Sequence, residues 1–332
     1  MDQEKSPGIT LGLPSGRGAI EPGRDTCEVE HKMGYQLWTS PITGYRRKGT
    51  RLSELRAVLG AGVVARTISE PLQSCPREAP ARDAEALLRE RGFDAAGVQA
   101  AEDGPVVGFV LRGELLDGNV RDHTNAMTSE HLVSDATSLG DLLAVLRGRE
   151  RVFVLEGPVV RGIITRADLN KPPVRVYLFG LISLLEMHLQ FWVSSHYPDD
   201  SWQQALNPGR LEAANKLLDL RKGRNNDITL LQCLQFCDKR DLVLQSEELR
   251  NKLGFASKGG GATLLTCAEK LRDVLAHSQA DLAQESSWEE LIKVVESVEQ
   301  LVHRSDDAVE QVAKASANSA RETTPSGIQR GT

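Results

Sequence analysis

Aromatic residues make up only 5% of the 332 residues, which argues against a broad base-stacking surface. Cysteines are few, odd in number and scattered (Cys27, Cys75, Cys233, Cys237, Cys267), so a disulfide scaffold is not expected and a reducing compartment fits. Cys233 and Cys237 lie four apart in an apolar helical pattern without the CxxC or partner His of a zinc set, and read as two small buried thiols. Positive charge is not in excess: 40 Lys+Arg stand against 46 Asp+Glu, a net charge of -6. That excludes a chain coated for duplex binding but leaves room for one local nucleic-acid cleft. The start, Met1-Asp2-Gln3-Glu4-Lys5, lacks the apolar core of a signal peptide. The most apolar stretch, 174–193, contains Arg175, Glu186, His188 and Gln190, which suits a buried or dimer-forming helix better than a membrane span. A cytoplasmic location is therefore expected, with no membrane partner and no metal.

The 40% of hydrophobic residues supports ordinary cores, and the length suits two domains. Residues 1–47 are rich in Gly, Pro, Ser and charge without a sustained period, which predicts a disordered segment. The basic cluster Tyr45-Arg46-Arg47-Lys48 at its end reads as solvated linker. Residues 305–332, rich in Ser, Ala, Thr and Gly, read as a disordered, frayed tail.

Between these ends lies an internal repeat. Gly104-Pro105-Val106-Val107-Gly108-Phe109-Val110-Leu111-Arg112-Gly113-Glu114-Leu115 recurs as Gly157-Pro158-Val159-Val160-Arg161-Gly162-Ile163-Ile164-Thr165-Arg166-Ala167-Asp168-Leu169, with Arg161 as the one inserted residue. Helical patterns over 81–91 and 139–147 precede the two copies. A short extended piece precedes each helix, Thr67-Ile68 in one case and Leu132-Val133-Ser134-Asp135 in the other. Each unit thus reads as β-α-β-β-α. One unit has too little core to stand alone, so the two should pack together with two equivalent clefts between their sheets.

This pair resembles the tandem CBS module, named for cystathionine β-synthase, and the resemblance covers about residues 52–173. The second copy carries the family's ligand signature, Gly162-Ile163-Ile164-Thr165-Arg166-Ala167-Asp168. The resemblance implies that Asp168 binds ribose hydroxyls of an adenosyl ligand (AMP, ADP, ATP or S-adenosylmethionine). It also implies that Thr165 and Arg166 approach the phosphates, with Gly162 opening the motif. A hydroxyl and free N–H groups at a helix start suit an anion. The first copy has Leu111 for the hydroxyl and Glu114 for the Asp, so one competent site at most is expected. The same Thr165 and Asp168 also fit a plain helix cap and first-turn acid.

Beyond Pro173 strand signals disappear, and helical spacing runs over 174–194, 211–221, 227–237, 246–253, 262–281 and 288–304. Asp227 and Ser246 are candidate N-caps, and Gly259-Gly260-Gly261 reads as a flexible loop with no phosphate role. The fold class expected is α+β: a tandem β-α-β-β-α pair (48–173) followed by an all-α bundle (174–304). In the fifth helix Arg272 and His277 lie outside the apolar stripe, about 140° apart around the axis and about 7.5 Å apart along it. Arg272-Asp273 followed by Ala276-His277-Ser278 resembles the RxxxxH signature of the HEPN family, and the resemblance covers residues 174–304.

Catalytic members of that family are metal-independent endoribonucleases that act as dimers. The resemblance implies that His277 moves the proton of a ribose 2′-OH or of the leaving 5′-oxygen, and that Arg272 stabilises the phosphorane. Asp273 would tune the site or simply form a salt bridge, Glu186 would orient Arg272, and Arg221, Lys222, Arg224, Lys239 and Arg240 read as a solvated charged face or, alternatively, as the lining of an RNA approach; His188 and His196 read as interface or surface residues. The expected function is a homodimeric ribonuclease with an RNA substrate, regulated by an adenine nucleotide on the CBS pair. A toxin, stress or defence role is implied by resemblance alone. A non-catalytic, ligand-sensing regulatory or interaction protein stays open as the alternative.

Overall fold

The computed structural model describes residues 46–60, 62–223, 228–277, 281–284 and 286–322. Apart from Arg46 and Arg47, the segment expected to be disordered at the start lies outside the described residues, as do Arg224 and Asp227. The architecture is mixed α+β, with a CBS-like sheet part and a helical C-terminal part.

Two short helices, α1 (Leu52–Leu55) and α2 (Ala65–Ile68), precede strands β1 (Glu70–Pro71) and β2 (Ser74–Pro76). Then come α3 (Ala81–Arg91), β3 (Ala95–Gln99), β4 (Val106–Leu111), β5 (Asn125–Ala126), β6 (Leu132–Ser134), α4 (Leu139–Arg147), β7 (Arg151–Glu156) and β8 (Val159–Thr165). Thr67 and Ile68, expected to be extended, close a helical turn in which the Thr67 hydroxyl donates to the Val64 carbonyl. The parallel strand of the first copy is β2 instead.

The strands form two sheets, ordered β1-β8-β7-β6 and β2-β3-β4-β5. Each copy contributes a parallel pair and an antiparallel hairpin (β2∥β3 with β4; β6∥β7 with β8). Each sheet also borrows an edge strand: β1 pairs with β8, and β5 pairs with β4. The two copies are therefore tied by exchanged strands.

Pairing also corrects the repeat's alignment. Val98 pairs with Gly108 and Gln99 with Val106, so Val107 bulges; Val154 pairs with Gly162 and Leu155 with Val160, so Arg161 bulges. Val107 and Arg161 are equivalent, and Arg161 is no insertion. The length difference falls in the hairpin turns. The glycine after each bulge lies where an edge strand crosses: a Cβ on Gly108 would sit 2.7 Å from the Asn125 carbonyl oxygen, and one on Gly162 would sit 3.2 Å from Ser69 Cβ.

The sheets meet at Phe109, Phe153 and Val160, with the Phe109 and Phe153 rings 5.0 Å apart. The first copy keeps a small core of its own around Ala81, Leu88, Val98 and Val110. The second copy shares one core with the helical part, running from Leu142 and Ile164 through Leu181 and Trp192 to Leu271 and Val302. Large apolar side chains from both parts are thus removed from water together, at about 25 cal/mol per Å².

The helical part comprises α5 (Pro172–His196), α6 (Trp202–Ala205), α7 (Pro208–Lys222), α8 (Phe236–Gln245), α9 (Glu247–Lys252), α10 (Lys258–Ala276) and α11 (Trp288–Glu322). Pro172 and Pro173 occupy the first turn of α5, where a missing N–H costs nothing. By length and composition α5 would pass as a membrane span, yet it packs against α8, α10 and α11 with Leu178, Leu181, Leu185 and Trp192 buried.

Four expectations need correction. The helix read over 227–237 is a 3₁₀ turn, Leu230–Cys233, followed by α8; the Asp238 carboxylate accepts the Gln235 N–H at 3.0 Å and restarts the helix there. The glycine run is the first turn of α10, capped by the Ser257 hydroxyl, and a Cβ on Gly261 would lie 2.7 Å from Leu244 Cδ2. The helix expected to continue to 281 ends at Ala276. The tail expected from Ser305 is helical through Glu322, with Ser305 and Val309 buried. The N-cap predicted at Ser246 is present, its hydroxyl accepting the Leu249 N–H.

Candidate functional site

The second-copy motif lies in the wall of a cavity of about 830 Å³. Its walls come from the β1 segment (Glu70, Leu72, Gln73), the turn after α3 (Arg91, Phe93, Asp94), the start of β7 (Glu150, Arg151), the end of β8 (Thr165, Arg166, Asp168) and Trp288 of α11. The volume falls within the range usual for small-ligand clefts. Thr165, Arg166 and Asp168 are brought together there. Gly162 lines a separate cleft of about 570 Å³ on the other side of β1, and its residue type answers to the crossing of Ser69.

Asp168 is 9% exposed. Its Oδ2 accepts the Thr165 N–H at 2.7 Å and the Thr165 hydroxyl at 2.9 Å; its Oδ1 lies 2.9 Å from Lys171 Nζ. The cap reading of these residues is therefore realised at the 3₁₀ turn Arg166–Asn170. A carboxylate offers about four lone pairs, so Oδ1 keeps capacity for a hydroxyl. Lys171 also pairs with Glu70 and donates to the Ile68 carbonyl at 2.6 Å. Burial alone would lower its pKa, but Glu70 and Asp168 more than offset that, and the ammonium is held above its ordinary value.

Arg166 lines the cavity with its guanidinium already engaged by the backbone. It donates to the carbonyls of Leu146, Arg147 and Arg149, closing the C-terminus of α4, and lies 3.7 Å from Glu289. The cations at the cavity rim are Arg151, paired with the exposed Glu150 at 2.9 Å, and Arg91, which donates to Gln73. Such rim pairs are weak, about 0–1 kcal/mol, and a phosphate competes with them readily. Glu114, at the corresponding place in the first copy, accepts from Asn125 at 2.8 Å.

The second candidate lies on α10. Arg272 is 36% exposed at its side chain, with its guanidinium 3.6 Å from Glu186, 3.5 Å from Asp273 and 6.0 Å above the Phe236 ring. Glu186 also binds the buried Lys239 at 2.7 Å. His277 is exposed but is no longer helical: it is the residue that ends α10, at φ -106° and ψ 101°. The helical-wheel angle between Arg272 and His277 therefore does not apply. The His277 carbonyl accepts from Arg175 at 2.8 Å. The suggested basic approach is not one face: Lys239 is buried, Arg240 is held by Asp241 and Glu269, and Arg221 and Lys222 are exposed on α7.

A third constellation was not legible in the sequence. Arg46, expected in solvated linker, is 2% exposed and meets Asp306 at 2.6 Å. His188, expected at a surface or interface, is 1% exposed; its Nε2 lies 3.3 Å from Asp306 and its Nδ1 lies 2.6 Å from the Ser305 hydroxyl, which accepts from Trp192. A neutral imidazole protonated on Nε2 can face Asp306 with that N–H while Nδ1 accepts from the Ser305 hydroxyl. Burial pushes its pKa down, despite the opposing pull of Asp306. Burial raises the Asp306 pKa, but His188, the Leu52 N–H and Arg46 outweigh it, and the carboxyl is held below its ordinary value. With Ser305 and His188 sealed from solvent, this Ser–His–Asp arrangement is a packing network rather than a reaction centre. His196 lies 3.5 Å from Glu248. Among the described residues, no group of three or more His, Cys, Asp or Glu side chains is placed to hold a metal ion.

No family model matches the chain. A zinc metalloprotease of Methanocaldococcus jannaschii is 32% identical over 85 residues, a stretch that is 25% of this chain and 23% of that protein. Among solved structures the chain is similar to the CBS domain of a bacterial CNNM/CorC-family Mg2+ transporter in complex with ATP (21% identity, 36% of this chain, 91% of that one, TM-score 0.30). It is also similar to CBSX2 in complex with AMP (22%, 35% and 97%, 0.30). A third is the CBS domain of a membrane protein from Sphaerobacter thermophilus (15%, 35% and 91%, 0.31). These neighbours are CBS-domain proteins covering about a third of the chain, and the remainder of the described chain is mainly helical.

Proposed function

We propose that this chain is an adenine-nucleotide-responsive protein whose helical half cleaves RNA, without a metal, as a homodimer in the cytoplasm. The observation that carries the first part is the cavity of about 830 Å³ with Thr165 and Asp168 in its wall. The adenosyl class comes from the resemblance of Gly162 to Asp168 to the CBS signature. The free lone pair on Asp168 Oδ1 would accept a ribose hydroxyl, and Arg91 and Arg151 are the cations available to phosphate. Titration with AMP, ADP, ATP and S-adenosylmethionine, against Asp168→Asn, tests it: micromolar binding weakened in the variant supports the reading, and no binding of any of the four removes it.

The ribonuclease part rests on the exposure of His277 and the partial exposure of Arg272. An exposed imidazole can relay the 2′-OH proton, and a guanidinium can hold the charge of the phosphorane. Two subunits would supply the second set. Incubation of the purified chain with mixed RNA in EDTA, beside His277→Ala and Arg272→Ala, decides it. Cleavage that survives EDTA and vanishes in both variants is the expected result. The non-catalytic alternative is favoured by one observation: Arg272 is flanked by two carboxylates, Glu186 and Asp273, which a phosphate would have to displace.

A further inference from the structure

The 3₁₀ turn that follows the cavity motif does not stop at the cavity. Its last residue, Asn170, faces the connection between α10 and α11. The Asn170 amide nitrogen donates to Asp281 Oδ1 at 3.1 Å, and its Oδ1 accepts the Leu282 N–H at 2.9 Å. Both partners lie more than a hundred residues away and only a few residues beyond His277. Next to them in sequence, Trp288 opens α11 and lines the same cavity as Thr165 and Asp168. Glu289 approaches Arg166, and Arg147 at the end of α4 reaches Glu296 of α11 at 2.8 Å. One short turn thus contacts the cavity on one side and the segment after His277 on the other.

We propose that Asn170 is a positioning residue that couples occupancy of the cavity to the α10–α11 connection, and that Trp288 is the ring on which the bound base packs. The inference rests on the nucleotide reading above, and goes beyond it in assigning the contact and the route. A ligand packed on Trp288 and hydrogen-bonded to Asp168 favours the arrangement in which the turn and the start of α11 are in register. Asn170 then fixes Asp281 and Leu282, and with them the end of α10 that carries His277. Coupling of this kind needs a differential affinity for two arrangements of the connection, and it is reciprocal. Asn170 is the element whose two hydrogen bonds both arrangements must keep or break.

The test uses the full chain and AMP as the probe, with ATP as a second. Trp288→Phe is expected to retain AMP binding and lose the quenching of tryptophan emission that AMP causes. Trp288→Ala is expected to bind AMP about tenfold more weakly, as loss of one base–aromatic stack predicts. Hydrogen exchange is then followed at the end of α10 and at residues 281–292, with and without AMP. Wild type is expected to gain protection there on binding. Asn170→Ala is expected to bind AMP within about twofold of wild type yet gain none at the end of α10. A residue that merely braced the loop would raise exchange in both states and leave the AMP-dependent change intact, which would overturn the coupling. Wild-type affinity in Trp288→Ala would overturn the stacking assignment while leaving the nucleotide site standing. If wild type binds neither AMP nor ATP, this inference falls, and the nucleotide reading falls with it when ADP and S-adenosylmethionine fail as well. Absence of RNA cleavage touches neither, because exchange is the readout.

Discussion

At the residue scale the atoms proposed to bind nucleotide already serve folding. Asp168 caps its own turn through Thr165 and neutralises Lys171 with its other oxygen. Asp168→Asn should therefore weaken nucleotide binding and also lower stability by about 1 kcal/mol, the scale of a lost cap. Thr165→Val keeps the backbone N–H bond and removes only the hydroxyl. Its expected signature is weaker binding with a smaller loss of stability, read by calorimetry and thermal melting side by side. Glu186 is a sharper case. It serves the partly exposed Arg272 and the buried Lys239, whose side chain is 4% exposed. Glu186→Gln leaves a buried ammonium without its counter-ion and should cost about 1–3 kcal/mol, less than a fully buried pair because Glu186 is itself partly exposed. Denaturant unfolding measures that cost; an unchanged midpoint would mean Lys239 finds water.

At the element scale, two predictions concern crossings. Gly108→Ala places a Cβ against the Asn125 carbonyl, a backbone atom that cannot turn away, whereas Gly162→Ala meets Val154 and Ser69 at 3.1 and 3.2 Å. The first should destabilise by about 2–3 kcal/mol and the second by about 1 kcal/mol, measured as shifts in unfolding midpoint. The other element is the seam of α5 and α11. His188 is held below its ordinary pKa of 6.5 and Asp306 below 3.8. For both, the unfolded chain binds more protons within the interval between the folded and unfolded values, so stability rises with pH there. His188 begins to withdraw stability as pH falls below about 6.5, and Asp306 does so below about 3.8. The melting temperature of wild type should drop further between about pH 7 and about pH 5 than that of His188→Asn. Parallel profiles would remove His188 from the account.

At the scale of the whole molecule the decisive feature is a core that crosses from sheet to helices. Val152, Ile164, Leu178, Leu271 and Val302 belong to one cluster. A fragment of 174–322 should expose that face and fail to melt cooperatively, as followed by near-ultraviolet circular dichroism. Truncation after Arg304 should be almost as damaging, because it removes Ser305, Asp306 and Val309 from the buried seam. The composition of 305–332 pointed to a frayed tail, yet in α11 small residues such as Ser305 are small because Trp192 and His188 press against them.

The sequence by itself determined what local chemistry can specify. Helices α3 and α4 stand at their expected bounds, because apolar spacing sets a face and the Ser138 hydroxyl, accepting the Asp141 N–H, sets the start of α4. The repeat, the Thr165–Asp168 turn and the apolar α5 were legible for the same reason: their determinants lie within a few residues of one another. Tertiary structure alone decided the exchange of β1 and β5 between sheets, the burial of Arg46 against Asp306, and the meeting of Asn170 with Asp281 and Leu282. It also took His277 out of the helix that its spacing from Arg272 implied. Those pairings join groups far apart in the chain, where no periodicity or cap constrains the partner, and only the closing of the core around Leu181 and Val302 selects it.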